Sequence, residues 1–128
     1  MEHLAPVQLP GSEAFWKGCE EGRLLLGHCA DCSQPHWYPR SHCPHCGSLR
    51  TELKPSGGRG IIYSVSVTRT AGPEPYAIAY VALDEGVTLM THIVDCDLDA
   101  LRIDQRVRLV FRPTAGGPPV WCFVPSEE

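Results

Sequence analysis

The sequence predicts a mainly β protein in which a short N-terminal helix precedes a metal-clasped loop unit and a five-stranded barrel. Three observations carry this prediction. The chain has 12 Gly and 12 Pro among 128 residues, too many for a helical bundle, because each interrupts a helix interior at a cost of roughly 1 to 3 kcal/mol. Its seven cysteines include two CxxC pairs. From Gly58 onward apolar residues recur with period 2, the signature of half-buried strands. Leu, Ile, Val and Phe total 30 residues, enough to lift the chain above the composition of disordered proteins.

Taken in order, Met1 to Gly11 carries Pro6 and Pro10 without periodicity and reads as an extended arm. Ser12 follows with a hydroxyl suited to cap a helix, and Glu13 suits the positive end of the helix dipole. Phe15, Trp16 and Cys19 share one face of that helix, being three or four residues apart, and Gly22 ends it. Phe15 and Trp16 have two readings: packing on the chain's own body, or docking a partner. The arm and helix are assigned to residues 1–22, the metal-clasped unit to 23–55 and the barrel to 56–128.

Arg23 to His28 reads as a strand entering the cysteine-rich loop. Cys29, Cys32, Cys43 and Cys46 form CxxC, ten intervening residues, then CxxC. Two residues between ligands let one tight turn aim both thiolates at one point, and two such turns complete the tetrahedral S4 shell that Zn²⁺ prefers. Gly47 suits a knuckle requiring positive φ. Between Ala30 and Arg50 the apolar side chains other than Cys are Ala30, Trp37, Tyr38 and Leu49. These are too few to offset an ordering cost of about 1–2 kcal/mol per residue, so a metal must hold the segment. Four thiolates leave no open coordination position, which makes the site structural. A rubredoxin-like iron site has the same ligand set, so Zn versus Fe stays open at this point. His28, His36, His42 and His45 are read as solvated residues or as neighbours of a shell already filled, and Cys19, Cys96 and Cys122 as bystanders.

In the barrel, Tyr63, Val65 and Val67 alternate with Ser64, Ser66 and Thr68 on a first strand, ended by the turn around Gly72, Pro73 and Pro75. Tyr76 to Leu83 is apolar on both faces and reads as an inner strand. Asp84-Glu85-Gly86 makes a tight turn, and Val87, Leu89, Thr91 and Ile93 share one face of a third strand. Asp97 or Asp95 caps a brief helix through Leu101. Val107, Leu109 and Phe111 alternate with arginines, and Val120 to Val124 closes the sheet. Five short antiparallel strands with one short helix between the third and fourth fit an OB-fold barrel, with an SH3-like barrel as the rival. Arg106, Arg108 and Arg112 share one face of the fourth strand. They are either a solvated row balanced by carboxylates or an anion site for a phosphorylated ligand such as coenzyme A.

No stretch approaches the ~20 apolar residues needed to span a bilayer, and no basic flank precedes an apolar run at the N-terminus. The expected location is cytoplasmic, where clustered cysteines favour metal over disulfides. The formal charge of −4 is opposite to that of a typical nucleic-acid binder. No catalytic Cys–His pair, hydrolase motif or nucleotide loop is present, so an autonomous enzyme is not expected.

Phe15-Trp16, Gly22-Arg23-Leu24, Cys29-x-x-Cys32, Pro39-Arg40 and Cys43-Pro44-x-Cys46-Gly47 together resemble the zinc-ribbon/OB-fold proteins of the DUF35 family. Pro75-Tyr76, Val81-x-Leu83-Asp84-Glu85-Gly86, Met90, Val94-Asp95-Cys96 and Val107-x-Leu109-x-Phe111 resemble the family's barrel. The resemblance implies a non-catalytic accessory subunit of a thiolase-superfamily or other acyl-CoA enzyme, with structural zinc in the ribbon. It implies that the helix and ribbon contact the partner, for which Phe15, Trp16, Trp37, Tyr38 and Arg40 are the candidate residues. It also implies that the OB domain helps enclose a CoA thioester. An OB module for single-stranded nucleic acid is the alternative, disfavoured by the lack of basic groups interleaved with aromatics.

Overall fold

The computed structural model describes residues 3–38, 40–70 and 72–126. Pro39, part of the family resemblance, lies outside the described residues. The arm leads into helix α1 (Glu13–Glu20). Its end is set by Gly22 at φ +77°. The Gly22 N–H donates to the Cys19 carbonyl at 3.1 Å and the Arg23 N–H to the Gly18 carbonyl at 2.8 Å, the paired bonds of a Schellman stop. At the other end the Ser12 hydroxyl does not cap the helix as expected. It donates backwards to the Leu9 carbonyl at 2.5 Å, tying down the turn that precedes the helix.

Strands β1 (Leu25–Cys29), β2 (Pro35–His36) and β3 (Thr51–Pro55) form an antiparallel sheet in the order β2-β1-β3. Gly27 is required in β1 because a Cβ there would lie 2.0 Å from the His36 ring. Glu85, in the turn after the second barrel strand, clamps the exit from this sheet, accepting from the Ser56 hydroxyl at 3.0 Å and the Gly57 N–H at 2.7 Å.

The remaining strands are β4 (Arg59–Thr68), β5 (Tyr76–Leu83), β6 (Thr88–Ile93), β7 (Arg106–Arg112) and β8 (Val120–Pro125), with a 3-10 turn η1 (Leu98–Ala100) between β6 and β7. They close in the order β4-β5-β6-β8-β7, the OB arrangement and not an SH3-like one. The expectation of antiparallel strands throughout needs correction. Strand directions cannot alternate around a ring of five, so one neighbouring pair must be parallel, and it is β6 with β8 at Ile93 and Phe123. In η1 the Asp97 carboxylate accepts from the Asp99 N–H at 3.0 Å, as the sequence suggested.

Inward residues fill the barrel: Ala77, Ala79, Val81 and Leu83 from β5, Val87 and Leu89 with Ile93 at and along β6, and Val107 and Phe123 opposite. The first strand keeps the expected face at Val65 and Val67, which pack against the core, but not at Tyr63. A register shift between Ile62 and Ser64 leaves Tyr63 as an extra residue, so Ile62 is fully buried while Tyr63 is 66% exposed. A bulge of this kind turns one side chain over and sharpens the bend of the strand.

Candidate metal centre and its surroundings

Each half of the cysteine loop folds on its own sulfur. In the first turn the Cys32 N–H donates to the Cys29 sulfur at 3.5 Å, and the Ser33 N–H to the Cys29 carbonyl at 2.9 Å. Ser33 takes the left-handed conformation at φ +61°. In the second turn the His45 N–H donates to the Cys43 sulfur at 3.3 Å, the Gly47 N–H donates to the Cys43 carbonyl at 2.9 Å, and Gly47 has φ +79°. The two turns are therefore near copies, with Ser33 standing where the second has glycine. Asp31 ties them together: its carboxylate accepts from the Ser48 hydroxyl and from the Arg50 guanidinium.

The result is four sulfurs all within 4.8 Å of one another. Cys29 and Cys46 are 3.6 Å apart across the site, as are Cys32 and Cys43. A tetrahedron with metal–sulfur bonds of about 2.3 Å has edges of roughly 3.8 Å, so the donor set fits zinc in geometry and in chemistry. Without a cation the thiols titrate far apart. Cys29 is drawn down to about 6, first by the Cys32 N–H. Cys46 is pushed up to about 12, where the Ser48 N–H lowers it but is outweighed by its contacts to Cys29 and by burial. Four thiolates held this close need a dication.

The other cysteines lie outside this cluster. Burial pushes Cys19 and Cys122 up to about 11 and raises Cys96. The ribbon histidines divide. His42 and His45 are exposed, bonded to the Ser41 hydroxyl and the Pro35 carbonyl, and His28 lies 3.7 Å from the Glu52 carboxylate. His36 is not solvated: it is 3% exposed against Gly27, with both ring nitrogens buried and unpartnered.

Phe15 and Trp16, expected as partner contacts, lie inside the chain at 0% and 4% exposure. Phe15 is closed to a partner, and Trp16 shows only an edge, on a groove beside the arm. They belong to an aromatic cluster joining helix, ribbon and barrel. Trp121 stacks on Trp16 at 5.9 Å, meets Trp37 edge-on at 5.1 Å and Phe15 at 5.7 Å, while Tyr38 lies 4.9 Å from Phe15. Trp37 and Tyr38 are half-buried on this cluster and Arg40 is exposed. In the sequence Trp121 is only a strand neighbour of Cys122; no local pattern marks it, because its ring partners lie in the helix and ribbon. The arginine row is largely neutralised: Arg106 pairs with Asp84 at 3.8 Å and Arg112 with Asp95, with exposed Arg108 between them. This favours the solvated row over an anion site.

A four-cysteine zinc ribbon packed on a closed five-stranded OB barrel defines a two-part zinc-ribbon/OB-fold protein. The chain belongs to the DUF35 family. Residues 16–52 match the ChsH2 rubredoxin-like zinc ribbon domain and residues 53–112 the ChsH2 C-terminal OB-fold domain. A DUF35 domain-containing scaffold protein of Methanothermobacter thermautotrophicus is 41% identical, over 76% of this chain and 78% of its own length. A probable enoyl-CoA hydratase alpha subunit of Thermomonospora curvata is 35% identical over 90% of this chain, which spans 39% of that larger protein. Among solved structures, the chain resembles one of an Ltp2-ChsH2(DUF35) aldolase with a TM-score of 0.82 and 28% identity, covering 94% of this chain and 98% of that one. The zinc is structural, held by Cys29, Cys32, Cys43 and Cys46.

Proposed function

We propose that this protein is a non-catalytic accessory subunit of a thiolase-superfamily enzyme, helping to hold or shield its acyl-CoA substrate. The observation that carries this reading is the match over nearly the whole chain to the ChsH2 component of an aldolase assembly. Relatives named scaffold proteins point the same way, and the hydratase alpha subunit adds an acyl-CoA enzyme that carries the same module. Zinc fixes the ribbon as a rigid surface, and the half-exposed Trp37 and Tyr38 with Arg40 are the residues assigned to the partner. On this reading the arm and helix (1–22) and the ribbon (23–55) dock the partner, and the barrel (56–128) helps to enclose the substrate.

Among the described residues no helix is long and apolar enough to cross a membrane. The buried cysteines, whose thiols are raised by burial, are poor nucleophiles at neutral pH, in keeping with chemistry supplied by the partner. Co-expression with the thiolase-like enzyme of the same genome is expected to give one complex on a sizing column with raised turnover. Two separate peaks with unchanged turnover overturn the reading.

A further inference from the structure

The outer face of the barrel carries a second feature. Strand β5 is apolar on both sides, and its outward Ile78 lines a groove of about 550 Å³ with Met90 of β6, Val120 and Trp121 of β8, Trp16 of the helix and Leu4 of the arm. Walls drawn from the arm, the helix, the β4–β5 loop and three strands make this a concavity, within the size range of small-molecule sites. It lies on the face formed by the second and third strands, where OB barrels take ligands. Leu4 is 84% and Met90 53% exposed, so the groove keeps apolar side chains open to water.

Beside it is a smaller pocket of about 230 Å³ lined by Asp95, Cys96 and Arg112; His3, Glu74 and Tyr76 line both spaces. Its polar groups are largely balanced, since Arg112 is ion-paired with Asp95. That gives no surplus positive charge to hold a phosphate or a carboxylate. Two imidazoles stand at the junction, His3 and His92, with ring centroids 5.3 Å apart, and Tyr76 meets His92 edge-on at 5.8 Å. Among the described residues neither imidazole makes a side-chain hydrogen bond within the chain, leaving donors and acceptors for a ligand.

We propose that groove and pocket form one amphipathic ligand site, taking an apolar chain along Ile78, Met90 and Trp121 and an uncharged hydrogen-bonding end beside His3 and His92. The choice of an acyl thioester as that ligand rests on the accessory-subunit reading above, while the site itself rests on the geometry. The arm supplies one wall of the groove through Leu4 and Pro6. It is pinned at His3, whose carbonyl accepts from the Ala115 N–H at 3.0 Å, and at Ala5, against which Gly117 packs so closely that a Cβ on it would lie 2.8 Å from the Ala5 Cβ.

The test is a titration of the zinc-loaded full chain with S-decanoyl-N-acetylcysteamine, followed by tryptophan emission and by calorimetry. All three tryptophans sit in one cluster and two of them line the groove, so occupation must change their emission. A saturable change is expected, absent with N-acetylcysteamine alone. Met90→Arg, at a half-exposed position, is expected to keep zinc content and circular dichroism and to weaken binding at least tenfold, whereas Met90→Leu keeps it. Should Met90→Arg not fold, Ile78→Gln serves in its place. No saturable response by either method, or equal affinity in the folded charged variant, overturns the site. Because the isolated chain is used, binding without any complex with the thiolase-like enzyme sinks the accessory reading alone. A complex without ligand binding by the isolated chain sinks this site alone.

Discussion

At the scale of single residues, the metal ligands dominate. Cys43 is 3% exposed and contributes both a ligand sulfur and the acceptor of the His45 N–H. A structural zinc in small units contributes on the order of 10 kcal/mol, comparable to the net stability of a whole domain. Cys43→Ser is therefore expected to reduce zinc from about one per chain to well below it and to unfold the ribbon, read by metal analysis and by amide exchange of residues 29–50. A second residue-scale effect concerns pH. Burial is the first cause lowering His3, His36 and His92 below the usual histidine value. Their unfolded counterparts take a proton near 6.5, before the folded ones do. Stability is thus fully present above that value and falls as pH drops from 6.5 towards the lowered folded values. Melting temperature is expected to fall between pH 7.5 and 5.5, and His3→Asn with His92→Asn to flatten that slope. An unchanged slope in the double variant, at equal zinc, refutes the assignment. The ligands were legible because two-residue spacing is a local device. His36 was not, since its burial depends on the absent Cβ of Gly27 in another strand.

At the scale of elements, two glycines separate conformational cost from packing cost. Gly22 has φ +77° and nothing within 4 Å of where a Cβ would stand, whereas a Cβ on Gly60 would lie 2.5 Å from the Ala82 carbonyl oxygen. Gly60 sits where β4 pairs with both β5 and β7, so neither neighbour has room to withdraw. Gly22→Ala is expected to cost about 1 kcal/mol, the penalty of a left-handed residue. Gly60→Ala is expected to cost about 3 kcal/mol, the upper range of overpacking. Urea midpoints measure both, and a Gly60 variant no worse than the Gly22 variant contradicts the barrel geometry. The strands were readable in different ways, β6 and β7 from apolar residues at every second position and β5 and β8 as apolar runs after turn residues. Of the four only β5 and β6 bury strictly alternate residues, while β8 buries Cys122, Phe123 and Val124 in succession. The bulge at Tyr63 was not readable, because an inserted residue leaves the sequence pattern locally plausible while reversing the face of one side chain. The apolar outer side of β5 was visible as an all-apolar run. That it lines a groove depends on Leu4 and Trp16, brought there from outside the barrel.

At the scale of the molecule, ribbon and barrel are coupled through one cluster of rings. Trp121 of β8 touches Phe15 and Trp16 of the helix and Trp37 of the ribbon, and its indole N–H donates to the Met90 carbonyl at 3.0 Å. Ring pairs at these distances contribute about 0.5–1.5 kcal/mol each beyond their burial, so the contacts at Trp121 together are large enough to join two small units into one cooperative transition. Removing zinc with a chelator is then expected to lower the melting temperature of the barrel as well as to unfold the ribbon, although no metal ligand lies in the barrel. Trp121→Ala, at a cost of about 3–5 kcal/mol, is expected to break the link. Its thermal unfolding should resolve into two transitions, of which only the ribbon's responds to chelation. A barrel transition that ignores zinc in the unaltered protein would mean that the rings pack without coupling. The cluster would then serve only to shape the groove between helix and sheet.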